Sequence, residues 1–165
     1  MALEIIYARV DLIPSFHQAL DRVAREEIYI EKTEAPALDK TLAFQGDLIA
    51  KNWPNYYVVD GEIVKGWADI TIPQNPRLAH RGFLGMGLLP EIRGQGFGTR
   101  LLQTALKHAR ELGLEQIELS VYTDNLAAIH LYRKCGFQDV GIVKHYRKYK
   151  GRYFDCLEMQ LFFEN

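Results

Sequence analysis

The absences in this chain decide first. Only two cysteines occur, Cys135 and Cys156, and neither sits in a His/Cys cluster at zinc-ligand spacing. Neither a disulfide framework nor a metal site is expected, and reduced thiols among apolar neighbours suit a cytoplasmic protein. No stretch of 18 apolar residues occurs, and the opening "MALEIIYARVDLIPSFHQ" has acidic residues early and no basic region leading into an apolar run. Neither a membrane span nor a leader peptide is expected. The formal net charge is −1 with 25% of residues charged, which gives no global pull on nucleic acid or an acidic membrane surface. Repeats, low-complexity tracts and Gly/Ser linkers are missing as well. One domain over residues 1–165 is the expectation.

What is present is apolar material, 48% hydrophobic and 12% aromatic, enough for a substantial core. "LEIIYARV" reads as a strand, and Pro14 opens a helical segment to about Ile30 with Phe16, Leu20, Val23 and Ala24 at helical spacing. A second helix is expected from about Ala37 to Lys51, on the less regular pattern of Leu38, Leu42, Phe44, Leu48 and Ile49. "YYVVDGEIVKGWADITI" sets two β-rich runs around Asp60-Gly61, a hairpin signal. An apolar strand follows from Phe83 to Leu89. From Phe97 onward Leu101, Leu102, Ala105, Leu106, Ala109 and Leu112 share one helical face, which Gly113 closes. "QIELSVY" is a buried-strand pattern, Asp124 or Asn125 caps a helix to Cys135, and Gly136 ends it. Two long strands around "KG" finish the chain. This order predicts a mixed, mostly antiparallel sheet flanked by helices, an α/β or α+β fold by convention.

The stretch "MGLLPEIRGQGFGTR", Met86 to Arg100, carries the chemistry. Gly94, Gly96 and Gly98 alternate where strand gives way to helix, so several peptide N–H groups can face one point without Cβ atoms in the way. The positive end of the helix dipole and the charges of Arg93 and Arg100 make that point a phosphate or pyrophosphate site. A Walker loop would end in Gly-Lys-Ser/Thr where Gly98-Thr99-Arg100 stands, and a dinucleotide fingerprint needs a glycine at Thr99. ATP and NAD lose ground. Gly85 and Gly87 interrupt the strand ahead and predict a bulge that frees N–H and C=O groups around Met86 and Leu88 for an extended ligand with amides of its own. A pyrophosphate end and a peptide-like arm describe coenzyme A.

The segment resembles the acetyl-CoA-binding core of the GNAT superfamily of N-acetyltransferases, whose pyrophosphate loop reads Gln/Arg-x-x-Gly-x-Gly/Ala. Here it is Arg93-Gly94-Gln95-Gly96-Phe97-Gly98, followed by Thr99. A second family signature is matched by "VYTDNLAAIHLYRKCGF" through Asn125, Leu131-Tyr132 and Gly136-Phe137. The resemblance implies the family fold over nearly the whole chain, with acetyl-CoA as cosubstrate and no metal. It implies that the loop amides bind the pyrophosphate and that the strand holding Met86, Leu88 and Leu89 bonds the pantetheine arm. Asn125 and Tyr132, two helical turns apart, are expected on nearly one stripe toward the cofactor. The resemblance further implies that Tyr132 protonates the departing thiolate. The amide of Leu88 would hold the developing oxyanion while a neutral amine attacks directly.

Many relatives carry Glu early in that strand, and "GFLGMG" has Phe83 instead. The base must then lie elsewhere: Glu26, Glu27, Glu31, Glu34 and Asp69 are the candidates, with Glu27 foremost. The acceptor pocket is expected from the region of the first two helices and the last two strands, where Tyr29, Trp53, Tyr56, His145, Tyr146, Tyr149, Tyr153 and Asp155 suit an organic cation. A primary amine of a small molecule is the expected substrate: a polyamine, an amino acid or an aminoglycoside-like amine. The alternatives are a protein N-terminus of the ribosomal-protein type and a non-catalytic acyl-CoA-binding sensor. "KHYRKYKGRY" is basic and rich in tyrosine, yet lysines on a hairpin edge guard against edge pairing, so no nucleic-acid partner is expected. The long final strands leave an edge suited to a homodimer.

Overall fold

Alternating apolar runs joined by short turns dictate antiparallel pairing, and it dominates the computed structural model, which describes residues 2–164. The elements run β1 (Leu3–Tyr7), α1 (Ile13–Ala24), α2 (Leu38–Ala50), β2 (Asn55–Asp60), β3 (Ile63–Thr71), β4 (Arg81–Leu88), α3 (Phe97–Glu111), β5 (Gln116–Tyr122), α4 (Leu126–Lys134), β6 (Gln138–Tyr149) and β7 (Arg152–Phe162). Their strands form one sheet in the order β1-β2-β3-β4-β5-β7-β6. All neighbours pair antiparallel except β4 and β5, which are parallel. The expected mixed, mostly antiparallel sheet flanked by helices is what forms. Among the described residues, no helix is long and apolar enough to cross a membrane.

Helices bury an apolar stripe on each face of the sheet. On one face Leu101, Leu102, Ala105 and Ala109 of α3 pack on Ala68, Ile70 and Ile117 of the strands. On the other, Phe16, Ala19 and Val23 of α1 meet Tyr57, Val59 and Trp67. Phe16 stacks on Tyr57 at 5.3 Å and stands edge-on to Trp67 at 5.4 Å, a three-ring contact that fixes α1 over β2 and β3.

Three expectations need correction. α1 stops at Ala24 rather than Ile30, because the chain turns through a left-handed Glu27 at φ +65° while Glu26 bonds Arg93. The inner face of α2 is Thr41, Gln45 and Leu48, whereas Leu38, Leu42 and Phe44, part of the pattern on which the helix was expected, are exposed. Gln45 goes inward because Asn55 and Tyr57 offer it hydrogen bonds there. Finally, no bulge interrupts β4 against β3, whose register runs unbroken from Gly66↔Leu88 to Thr71↔Phe83. Gly87 is glycine because the Trp67 ring fills the place of its side chain: a Cβ there would lie 2.4 Å from Cη2.

The strand opens on its other edge. β4 pairs with β5 only from Arg81↔Gln116 to Phe83↔Glu118, after which the two part. Arg81 grips Glu118 with two hydrogen bonds, 2.5 and 2.7 Å, at the root of this fork.

The Gly87→Ala change should destabilise the fold by about 1–3 kcal/mol through overpacking against Trp67. Gly141→Ala, where a Cβ meets nothing within 4 Å, should stay within about 0.5 kcal/mol of the parent. Urea unfolding of the two variants side by side checks the contrast.

Candidate active site

The fork leaves backbone groups without strand partners. Leu89 donates its N–H to Lys65 O at 2.8 Å, so by the alternation of an antiparallel ladder Gly87 and Gly85 also bond toward β3, and Met86 and Leu88 turn theirs toward the gap. Leu88 O takes the Nε of Arg93 at 3.0 Å, as that orientation requires. A cavity of 680 Å³ fills the gap, lined by β4, β5, the glycine loop and α4. Leu89, expected with Met86 and Leu88 in the arm-binding set, has its amide engaged by β3 and its side chain buried.

At one end of the cavity lies the glycine loop. Gly94 and Gly96 sit at φ +73° and +85°, left-handed values that favour glycine, and no side chain caps α3 at Gly96. Gly98 faces α4 so closely that a Cβ would come 3.2 Å from Leu131. Gly98 and Thr99 of the first turn of α3, where N–H groups have no intrahelical partners, line the cavity. Gln95 ties the loop by donating from Nε2 to Glu91 O at 3.0 Å. The two arginines do not both reinforce this end. Arg100 lies over the Phe97 ring at 5.2 Å. Arg93 turns its guanidinium away, bonding Glu26 at 3.0 and 2.6 Å and covering the Tyr29 ring at 4.6 Å.

α4 brings Asn125 and Tyr132 to the same cavity, though not as equals. Asn125 is the N-cap, its Oδ1 accepting from Ala128 N at 3.3 Å, so it stands before the helix rather than on a stripe with Tyr132. Tyr132 is buried, edge-on to Phe137 at 5.9 Å. Burial pushes its hydroxyl up to about 12, so the phenol keeps its proton at neutral pH.

The far side is roofed. The segment after α1 contributes Tyr29, Ile30, Glu31 and Lys32 to the cavity wall, and the β6–β7 hairpin contributes Tyr146 and Cys156. These two parts are bonded to one another: Tyr146 donates to Glu31, Arg147 to Glu27 O at 2.8 Å, and Tyr149 to the Glu27 carboxylate at 3.0 Å. Lys150 pairs with Glu27 at 3.1 Å. Lys150, and after it Tyr149, hold the Glu27 carboxyl below the usual carboxylate range, which makes it a weak proton acceptor.

Of the aromatics expected around the acceptor, Tyr29 and Tyr146 line the cavity. Tyr56 instead bonds His108 at 3.0 Å, Trp53 lies under Lys51, and His145 stacks on Tyr153 at 4.1 Å. Sequence reasoning missed Trp67, Ser120 and Tyr122, all in the wall. The last two had a signal: in "ELSVY" the strand alternation puts Ser120 and Tyr122 on one face of β5. Cys156 also reaches the wall, with its thiol pushed up to about 11 by burial and holding little thiolate. Among the described residues, no three His, Cys, Asp or Glu are grouped to hold a metal ion.

Residues 18–137 match the model of the acetyltransferase (GNAT) family. The chain belongs to that family. An N-alpha-acetyltransferase of Sulfurisphaera tokodaii is 28% identical over 73% of this chain and 86% of its own length. An L-amino acid N-acetyltransferase of Escherichia coli is 31% identical over 61% of this chain and 62% of its own. By structure, a GNAT superfamily phosphinothricin acetyltransferase of Sinorhizobium meliloti, solved in complex with AcCoA, superposes with a TM-score of 0.88 at 21% identity, covering 97% of this chain and 88% of that one. Membership carries with it acetyl-CoA-dependent N-acetyl transfer. The residues fit that cofactor: left-handed glycines open the loop amides to a pyrophosphate, and Met86 and Leu88 offer backbone groups to an amide-bearing arm.

Replacing Gly96 by alanine places an L side chain at φ +85°, which costs about 1–2 kcal/mol in the loop's present shape. The free loop should relax, and CoA affinity measured by calorimetry should fall about tenfold, with the far-UV circular dichroism spectrum unchanged.

Proposed function

We propose that this chain acetylates a primary amine of a small molecule, such as a polyamine, an amino acid or an aminoglycoside-like amine, at the fork between β4 and β5. The observation that carries the reading is the fork itself, which joins a cofactor end made of loop amides to a roofed acceptor end. Acetyl-CoA, when bound, supplies an activated acyl carbon and a thiol leaving group. The chain's own tasks are then distinct. Gly94, Gly96, Gly98 and Thr99 present amides to the pyrophosphate, together with those of Arg93, Gln95 and Phe97 in the same turn. Met86 and Leu88 position the arm, and the Leu88 N–H is directed at the carbonyl oxygen as negative charge develops there. Tyr132 holds a proton for the departing sulfur.

The roof favours a small acceptor. A protein N-terminus would need an open groove for its following residues, whereas Glu27 and Glu31 are bonded across to Tyr149 and Tyr146 of the hairpin. The Glu31 carboxylate, in one wall with Tyr29, Trp67 and Tyr122, offers an amine both charge and aromatic faces. The reading of a protein N-terminus draws on the relative from Sulfurisphaera tokodaii, an N-alpha-acetyltransferase by name. A homodimer is supported by β6, an edge of the sheet that leaves Val140, Ile142 and Val143 exposed.

Thiol release from acetyl-CoA across a panel of small amines and short peptides tests the assignment. A small amine should raise the rate well above that of any peptide; a peptide preference reverses the substrate class, and CoA binding with no amine effect makes the chain a binder. Tyr132→Phe should lower kcat about 100-fold with little change in CoA affinity.

A further inference from the structure

Beneath α2 lies a polar cluster that neither the cofactor loop nor the roof uses. Gln45, 1% exposed, reaches from α2 onto the sheet. Its Oε1 accepts from the Tyr57 hydroxyl at 2.7 Å and from Asn55 Nδ2 at 2.8 Å. Gln45 also neighbours the carboxylate of Asp69, whose charged form it favours. Asp69 is the register partner of Asn55 on β2 and of Gly85 on β4. Its Oδ1 lies 3.4 Å from the place a Cβ on Gly85 would take, and Gly85 lines the cavity. At this register β4 puts no side chain between the carboxylate and the cavity. Phe83, one step along the same face, brings no acid.

We propose that Asp69 is the proton acceptor for the incoming amine, reached through water over Gly85, with Gln45 as its positioning residue. This rests on the amine-acetylating reading above. One N–H bond of the ammonium breaks and one O–H bond forms at Asp69, so ammonium and carboxylate become neutral amine and neutral acid; the proton passes to bulk water when product leaves.

The groups facing Asp69 explain its suitability. Gln45 from α2 and Tyr57 from β2 are uncharged at neutral pH, Gly85 from β4 is not titratable, and Lys32 from the segment after α1 is the nearby cation. Enclosure lifts the Asp69 carboxyl to about 7, against the opposing pull of Gln45 and Lys32. It is therefore a base above that pH and protonated below it, near the optimum for a group that must both take and release a proton. Glu27, tied to Lys150, has the opposite bias.

The experiment follows the side-chain carboxyl of Asp69 by carbon-13 NMR in the full-length protein, with Asp69→Asn for assignment, and compares the pH profiles of kcat/KM. The resonance should titrate near 7, and the acidic limb of the profile should share that midpoint. Asp69→Asn should lose the limb and about 100-fold in kcat at pH 7, with KM for acetyl-CoA unchanged and a native circular dichroism spectrum. Lys32→Gln, a change at an exposed side chain, should move both midpoints upward, so the proposal stays testable if Asp69→Asn folds poorly. An Asp69 resonance titrating near 4, or an active Asp69→Asn enzyme with the limb intact, overturns the proposal alone. A parent chain that takes up no CoA and releases no thiol with any amine overturns the acetyl-transfer reading and the proposal with it.

Discussion

Two parallel strands that stop bonding after three residue pairs leave a row of peptide groups facing a gap. An unpaired interior amide or carbonyl costs roughly 1–3 kcal/mol, so a fold keeps such a gap only when its root is fastened and its mouth is of use. Here the root is the Arg81–Glu118 pair, and the far edge of β4 is secured by an unbroken ladder to β3. Trp67 packs on Gly87, four residues beyond the last pair that β4 makes with β5. The glycine loop, the first turn of α3 and the cap of α4 all open onto this one interruption in the sheet.

The two ends of the gap differ in how they are built. The cofactor end is made of backbone, and its geometry depends on residues without side chains. The acceptor end is made of side chains brought from three separate parts of the chain: the segment after α1, the middle strands and the last hairpin. Hydrogen bonds among Glu27, Glu31, Tyr146, Arg147 and Tyr149 make the first and third of these one wall. A carboxylate held in that wall by a lysine is a structural tie, whereas one sheltered beside a glycine keeps its basicity.

This difference explains how much could be read in advance. The strand and helix order, the glycine loop, the direction of Met86 and Leu88 and the presence of Tyr132 were all legible, since each is fixed by local pattern or by bare backbone. The fork was anticipated for the wrong reason. Gly85 and Gly87 suggested a bulge, whereas the opening is on the β5 side and Gly87 makes room for a tryptophan twenty residues earlier, whose approach no local pattern encodes. Gln45 was invisible among the apolar residues of α2 because its burial depends on partners from β2. The charge of Arg93 was counted toward the anion site, but its direction is set by Glu26, far off in sequence. Long-range polar pairing is the part of this fold that periodicity does not carry.

Arg93 holds Leu88 O with its Nε and Glu26 with its other nitrogens, which pins the stem of the segment after α1 to the strand beside the reacting position. Beyond that pin, Tyr29 and Ile30, half-buried, and Glu31 and Lys32, exposed, face the cavity. The segment is thus a fixed hinge plate carrying a replaceable blade. Substrate preference can drift through those four side chains while the machinery for the shared acyl donor keeps its alignment, a division of labour that would let one scaffold diversify its choice of amine.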